Sequence, residues 1–112
     1  MNNAQWINDV NDTRWFKESL EVLKSDPSLS TEDIERIITD TIADYVIGTI
    51  GVIDLLEFTD TLKKSKAKLS PDLQYIAEDL SELHNYKSDK QFVHSILIDV
   101  LRKVDHTGSG LG

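Results

Sequence analysis

The stretch from residue 45 to residue 62, YVIGTIGVIDLLEFTDTL, most constrains the fold, because one amphipathic run ends within it and another begins. Gly48 follows the last apolar residues of the first run, at the position where a left-handed residue commonly ends a helix. After Gly51 the apolar residues resume at a spacing of three and four. The sequence therefore predicts two helices joined by a tight corner.

Helical spacing of apolar residues recurs along the chain, and no segment alternates with a period of two for long enough to predict a strand. Ser30 is a predicted N-cap in a capping box with Asp33, and Ser70 is another, with Pro71 at the first helical position. The predicted helices cover residues 4–10, 13–24, 31–47, 52–63, 71–83 and 89–104, with Asp12 capping the second and Ser88 with Gln91 resembling a capping box before the last.

These helices predict an all-α fold, an antiparallel bundle of four core helices with an additional N-terminal helical segment. We expect one domain over residues 1–105 and a flexible tail over residues 106–112. Among the apolar residues of the helix that ends at the corner, Val46 is placed in the core stripe with Ile42 and Tyr45. The wide apolar arc of the last helix predicts that it is the most buried one.

At 112 residues the chain is long enough for one modest core. It has no cysteine, no apolar run long enough to span a membrane and no basic and apolar start typical of a secretion signal, so we expect a cytoplasmic protein. The net charge of −8 argues against direct binding of nucleic acid, which requires lysine and arginine. A basic protein partner is favoured, although acidity that serves only solubility is an equally weighted alternative.

The sequence contains no pattern typical of a catalytic or metal site, so we expect neither an enzyme nor a cofactor. Its three histidines form no pair spaced to hold a metal on one helix face. We interpret His84 as a histidine at the edge of the core. Gly48 and Gly51 lack the strand and the lysine of a phosphate-binding loop, so they are interpreted as turn glycines.

Acidic residues on predicted outer helix faces are the candidate binding surface. Between residues 30 and 60 acids exceed bases by seven. On the helix that starts at Pro71, Tyr75 is predicted to share a face with Glu78, Asp79 and Glu82, as an aromatic anchor among charges. The alternative is that Tyr75 packs against Trp6 or Trp15. The remaining candidates are Asp54, Glu57 and Asp60, at a spacing of three, and Asp89.

From residue 42 to about residue 104 the chain resembles the bacterial self-protective, colicin D-type immunity proteins. The resemblance is carried by the short turn with Ile50, by Leu56-Glu57-Phe58, by Leu69-Ser70-Pro71, by the pair Glu78-Asp79 before Leu80, and by a closing helix with Ile96-Leu97 and Leu101. Residues 1–41 are additional to the region that resembles the family, and the connection over residues 84–89 is poor in acids.

The resemblance implies an immunity protein that binds a basic ribonuclease toxin of the tRNA-cleaving kind and covers its RNA-binding cleft with an acidic surface. The toxic domain of a contact-dependent growth inhibition system is one form that such a partner takes. The alternative is a small acidic helical adaptor or antitoxin that binds a protein unrelated to nucleases.

Overall fold

A computed structural model of the chain describes the backbone of residues 13–108 and the side chains of residues 13–105. The helices are α1 (Arg14–Ser25), α2 (Thr31–Ile47), α3 (Val52–Lys63), α4 (Pro71–Ser81), the single turn α5 (Leu83–Tyr86) and α6 (Lys90–Gly108). No strand occurs between residues 13 and 108. The all-α prediction is confirmed, whereas the helix predicted over residues 4–10 and the Asp12 cap lie outside the described residues.

Two of the predicted helix starts are confirmed in atomic detail. The Ser30 hydroxyl accepts a hydrogen bond from the Asp33 amide at 3.1 Å, and the Asp33 carboxylate accepts one from the Ser30 amide at 3.2 Å. The Ser70 hydroxyl likewise accepts from the Leu73 amide at 3.2 Å, and Pro71 follows it at the first helical position. These caps satisfy amides that have no partner inside the helix, which is why both helices begin where they do.

The last helix differs from its prediction at both ends. Asp89, rather than Ser88, caps it, since its carboxylate accepts a hydrogen bond from the Phe92 amide at 3.1 Å. The helix then continues to Gly108, past the predicted end at Val104 and into the predicted tail. The sequence has no proline or glycine between Asp89 and Gly108, so nothing forces the last helix to end earlier.

One hydrophobic core connects the helices. Its buried apolar residues come from every helix and from the connections, and they are Phe16, Leu20, Leu23, Ile34, Ile38, Ile42, Ile50, Leu55, Leu56, Phe58, Leu62, Ala67, Leu73, Ile76, Ala77, Leu80, Leu83, Val93, Leu97, Val100 and Val104. Because α1 contributes to this cluster alongside the later helices, the packing does not separate four core helices from an added segment. The all-helical bundle is clear without that division.

The helices pack in a simple order. α1 lies along α3, α2 contacts α3 and α6, and α4 contacts α3 and α6. The end of α1 is also fixed to the connection after α3, because the Lys66 amide donates a hydrogen bond to the Leu23 carbonyl at 3.1 Å. Among the described helices none combines the length and the hydrophobicity needed to cross a bilayer.

The corner between α2 and α3 has the predicted form. Gly48 has a φ of 92°, in the left-handed region, and its amide bonds to the Tyr45 carbonyl at 3.1 Å. The Thr49 amide bonds to the Asp44 carbonyl at 2.8 Å, and the side chain of Ile50 is buried against the core. Polar bonds and an apolar contact therefore hold the corner in one conformation.

Two predictions about burial are wrong. Val46 was placed in the core stripe of α2 but is exposed. Successive residues differ by about 100° around a helix, so Val46 lies at the edge of the stripe that contains Ile38 and Tyr45. The last helix is not the most buried one either, because only four of its side chains between residues 90 and 105 are buried, whereas α3 buries six of its twelve. Phe92 and Ile98 of the last helix are exposed. Phe92 stacks instead on Tyr86, with ring centroids 4.0 Å apart.

Candidate functional site

The exposed side of α4 brings three of the residues predicted to bind a partner, Tyr75, Glu78 and Glu82, onto one surface. We call it the α4 outer face and define it by Pro71, Gln74, Tyr75, Glu78 and Glu82, all of which are exposed. It forms because Leu73, Ile76, Ala77 and Leu80 are buried on the opposite side of the same helix. Tyr75, Glu78 and Glu82 follow one another at spacings of three and four, so they form one row.

Tyr75 is the aromatic centre of this face. Its side chain is 67% exposed, so within the described residues it does not pack in the core or under Trp15. The other partner considered, Trp6, lies outside the described residues. Together with Pro71, Gln74 and Glu78, Tyr75 lines a shallow depression of about 210 Å³. The structure therefore favours the exposed alternative for this ring.

Asp79 was predicted to belong to the same face, and this is wrong. Its carboxylate accepts a hydrogen bond in an ion pair from the Lys103 ammonium of α6, which also lies 3.5 Å from Asp99. The hydrogen bond to Asp79 raises the pKa of Lys103. Asp79 follows Glu78 directly, so it points about 100° away around the helix, toward α6. Its charge is paired within the chain, although about a third of the side chain remains exposed, so its contact with a partner stays a prediction.

The second predicted group, on α3, is also largely engaged within the chain. The Asp54 carboxylate accepts a hydrogen bond from the Gly51 amide at 3.0 Å and so helps to start α3. Asp60 lies 3.0 Å from the His84 imidazole, and His84 is exposed rather than at the edge of the core as predicted. Glu57 is exposed but lines a groove with two lysines of α1.

The lysines in that groove are Lys17 and Lys24, and Asp54 lines it as well. Opposite charges therefore face one another between α1 and α3 without a close ion pair at Glu57. Of the three acids predicted to point outward on α3, Glu57 and Asp60 are exposed and Asp54 is half-buried, and their contact with a partner stays a prediction. Asp89 is likewise committed, because its carboxylate caps α6.

Glu78 and Glu82 are exposed and have no side-chain partner in the described part of the chain, as is also the case for Glu57 on α3. Glu78 and Glu82 differ from Glu57 in lying beside the exposed ring of Tyr75 and having no lysine in the depression that Tyr75 and Glu78 line. No group of three histidine, aspartate or glutamate residues between residues 13 and 105 is arranged to hold a metal ion. The α4 outer face therefore presents two carboxylates and an exposed aromatic ring to solvent.

An exposed apolar surface that the helical stripes did not predict lies at the corner between α2 and α3. Val46 and Ile47 are each 68% exposed, and Ile53 is 67% exposed. A signal was present, since Ile47 and Ile53 fit neither predicted core stripe. An apolar residue that a helical stripe leaves over is a candidate contact residue, and only the packed structure shows whether another element covers it.

Comparison of the chain with protein-family models, with curated proteins and with solved structures gives no match. The resemblance to colicin D-type immunity proteins accordingly stays a prediction from sequence.

Proposed function

We propose that the protein binds a basic ribonuclease toxin through the α4 outer face and thereby blocks access of RNA to it. The observation that carries this proposal is the row of Tyr75, Glu78 and Glu82, in which an exposed ring stands beside two carboxylates that no cation of the described chain neutralises. The net charge of −8 and the sequence resemblance point to the same class of partner.

The chemistry of the partner follows from the chemistry of RNA. A ribonuclease must present lysine and arginine where it holds phosphates. Carboxylates on a fixed helix can pair with those same cations and so occupy the place of the phosphates. The tyrosine ring adds contact area at a low cost in conformational entropy, which is why such residues dominate many interfaces.

The α4 outer face is already held in place before any partner arrives. Ser70 fixes the start of the helix, the buried side anchors it to the core, and the ion pair of Asp79 with Lys103 limits its rotation against α6. Association with a preformed surface loses less conformational freedom than association that must first order a segment. The negative electrostatic field of the α4 outer face is expected to increase the rate of encounter with a basic protein.

The test is a growth-rescue assay in which the full chain is co-expressed with the toxic domain encoded directly upstream of its gene. We expect the wild-type chain to restore growth and the double variant Glu78→Lys, Glu82→Lys to lose protection. For the purified pair, the association rate of this variant should fall by about tenfold or more and depend less on salt. Thermal unfolding should be nearly unchanged, because both side chains are exposed.

The matched control is Glu18→Lys with Glu32→Lys, which makes the same change in net charge at exposed positions of α1 and α2. Full protection by the control together with loss of protection by the α4 variant supports the proposal. Equal loss in both would mean that net charge alone acts, and full protection by the α4 variant would remove this face. If no toxin gene lies upstream, or the wild-type chain does not rescue growth, the immunity function is rejected.

A further inference from the structure

We propose that the corner between α2 and α3 docks a basic amphipathic helix of a partner protein. We call this surface the α2–α3 corner and define it by the apolar residues Val46, Ile47 and Ile53 and the carboxylates Asp40 and Asp44. It shares no residue with the α4 outer face, so the two proposals can fail independently.

The apolar part of the α2–α3 corner is unusual for its exposure. Val46, Ile47 and Ile53 are each more than two-thirds exposed, and they stand on the last turn of α2 and the first turn of α3. They are not on a fraying end, because the bonds at Gly48 and Thr49 and the buried Ile50 fix the turn between them. Three exposed aliphatic side chains at the two helix ends of one fixed corner provide apolar area for a partner to bury.

The charged part of the α2–α3 corner determines the chemistry of the occupant. Asp40, Asp44 and Ile47 lie at spacings of four and three and therefore form one row on α2. Neither carboxylate has a side-chain partner among the described residues, and Arg36, one turn before Asp40, forms no ion pair with it. Partial burial, and then the neighbouring charge of Asp40, raise the pKa of Asp44. A cation placed between the two carboxylates would relieve their repulsion.

An occupant that suits both parts must carry apolar side chains with lysine or arginine beside them, as a basic amphipathic helix does. A second copy of this chain would bring the same carboxylates to the contact and is disfavoured by like charge. An anionic membrane surface is disfavoured for the same reason. Charge complementarity therefore selects one class among the molecules that could cover an apolar surface.

The probe for the test is a synthetic leucine–lysine peptide that forms an amphipathic helix, titrated into the isotope-labelled full chain and followed by amide and methyl chemical shifts. We expect the largest shifts at Ile47, Ile53 and their neighbours. The double variant Ile47→Ser, Ile53→Ser should weaken binding by about tenfold or more, because it removes the apolar side chains that the peptide would bury. The matched control is Ile98→Ser on α6, where the isoleucine is 52% exposed and binding should be unchanged.

A second pair of variants tests the charge. Asp40→Asn with Asp44→Asn should weaken binding and reduce its dependence on salt, whereas Glu18→Gln with Glu32→Gln should leave both nearly unchanged. A leucine–glutamate peptide of the same pattern should not bind.

Several results would overturn the proposal. Binding of the leucine–glutamate peptide as tight as that of the leucine–lysine peptide would remove the charge argument, and an equal loss in Ile98→Ser would remove the site. Shifts confined to the α4 outer face would assign the peptide to the other surface. If sedimentation shows a dimer that Ile47→Ser dissociates, the occupant of the α2–α3 corner is a second copy of the chain. If methyl contacts join Ile47 to residues 1–12, the occupant is the N-terminal segment of the same chain.

Discussion

At the scale of single residues, the two glycines of the corner serve different purposes although the sequence presents them as a pair. Gly48 has a φ of 92°, which residues with a side chain rarely adopt, whereas Gly51 has an extended backbone with a φ of −105°. A Cβ atom added at either position would meet no atom within 4 Å. Backbone conformation alone therefore explains the need for glycine at Gly48, and nothing requires it at Gly51.

We expect Gly48→Ala to lower the free energy of unfolding by about 1–2 kcal/mol, because alanine is strained in the left-handed region. Gly51→Ser should instead raise it by a few tenths to about 1 kcal/mol. The Gly51 amide already donates a hydrogen bond to the Asp54 carboxylate. A serine hydroxyl at position 51 could accept a hydrogen bond from the Asp54 amide and complete a capping box. Urea denaturation of both variants measures whether each change raises or lowers the free energy of unfolding. A loss in both would contradict the assignment of strain to Gly48 alone.

Asp44 makes a prediction about pH. Its pKa is raised in the folded state by partial burial and by Asp40, so the folded protein binds its proton more tightly than the unfolded chain does. The ionised carboxylate therefore destabilises the fold at neutral pH. This loss of stability disappears as pH falls below the pKa of Asp44 in the unfolded chain, near 3.8.

Asp44→Asn should accordingly raise the free energy of unfolding at neutral pH by about 0.2–0.5 kcal/mol, the size of a like-charge pair one turn apart. The gain should shrink toward zero under acid conditions, as measured by urea denaturation across the pH range. A variant that is less stable than the wild type at neutral pH would show that Asp44 has a favourable role in the free protein.

At the scale of helices, capping and stripe patterns were predictable because they depend on residues close in sequence. Ser30 with Asp33 and Ser70 with Pro71 are examples, as is the buried side of α4. The side-chain contacts between helices were not predictable, because Asp79 meets Lys103, and Asp60 meets His84, across 24 residues of chain in both cases. Whether an acid on a helix faces a partner or another helix depends on the neighbouring helix, and the sequence of one helix does not contain that information.

The contact between α4 and α6 gives a prediction at this scale. Lys103→Met should lower the free energy of unfolding by about 0.2–1 kcal/mol, a small value because the pair is more than a third exposed and is screened by solvent. The Asp79 hydrogen bond raises the pKa of Lys103 in the folded protein above 10.5. The ion pair therefore contributes its full stability below pH 10.5, and this contribution is lost as pH rises through the folded-state pKa of Lys103.

The difference from wild type should therefore be constant from neutral pH to about 10 and decrease only in stronger base. Lys68→Met, at an exposed lysine without an ion pair in the described residues, is the control and should have little effect. A stability difference between Lys103→Met and the wild type that already disappears at neutral pH would show that it does not come from the ion pair of Lys103 with Asp79.

At the scale of the whole molecule, the core predicted as family-like, over residues 42–104, does not stand alone. Leu23 of α1 is fully buried in the common cluster, and Ile34, Ile38 and Ile42 of α2 complete it. The longer helices and most core-facing positions were predictable from periodicity, whereas the single turn α5 and the exposure of Val46 and Phe92 were not. The inclusion of α1 in the core was not, because no local pattern states which helix an apolar stripe will meet.

We expect Leu23→Ala to lower the free energy of unfolding by about 2–5 kcal/mol through lost burial and the cavity that it leaves. Its exposed neighbour provides the control, since Val22→Ala should change stability by no more than about 0.5 kcal/mol. Circular dichroism in urea should show one transition for both variants. A nearly unchanged midpoint for Leu23→Ala would show that α1 is dispensable for the fold.

The bond between the Lys66 amide and the Leu23 carbonyl has a consequence for proteolysis. The end of α3 and the connection after it carry Lys63, Lys64, Lys66 and Lys68, and such a connection would ordinarily be the first place that trypsin cuts. Here its backbone is held to the end of α1, and Ala67 is buried. A protease must extend several residues in its cleft, so cleavage requires the end of α1 to detach first. The rate of tryptic cleavage in this connection therefore reports how often α1 separates from the rest of the protein.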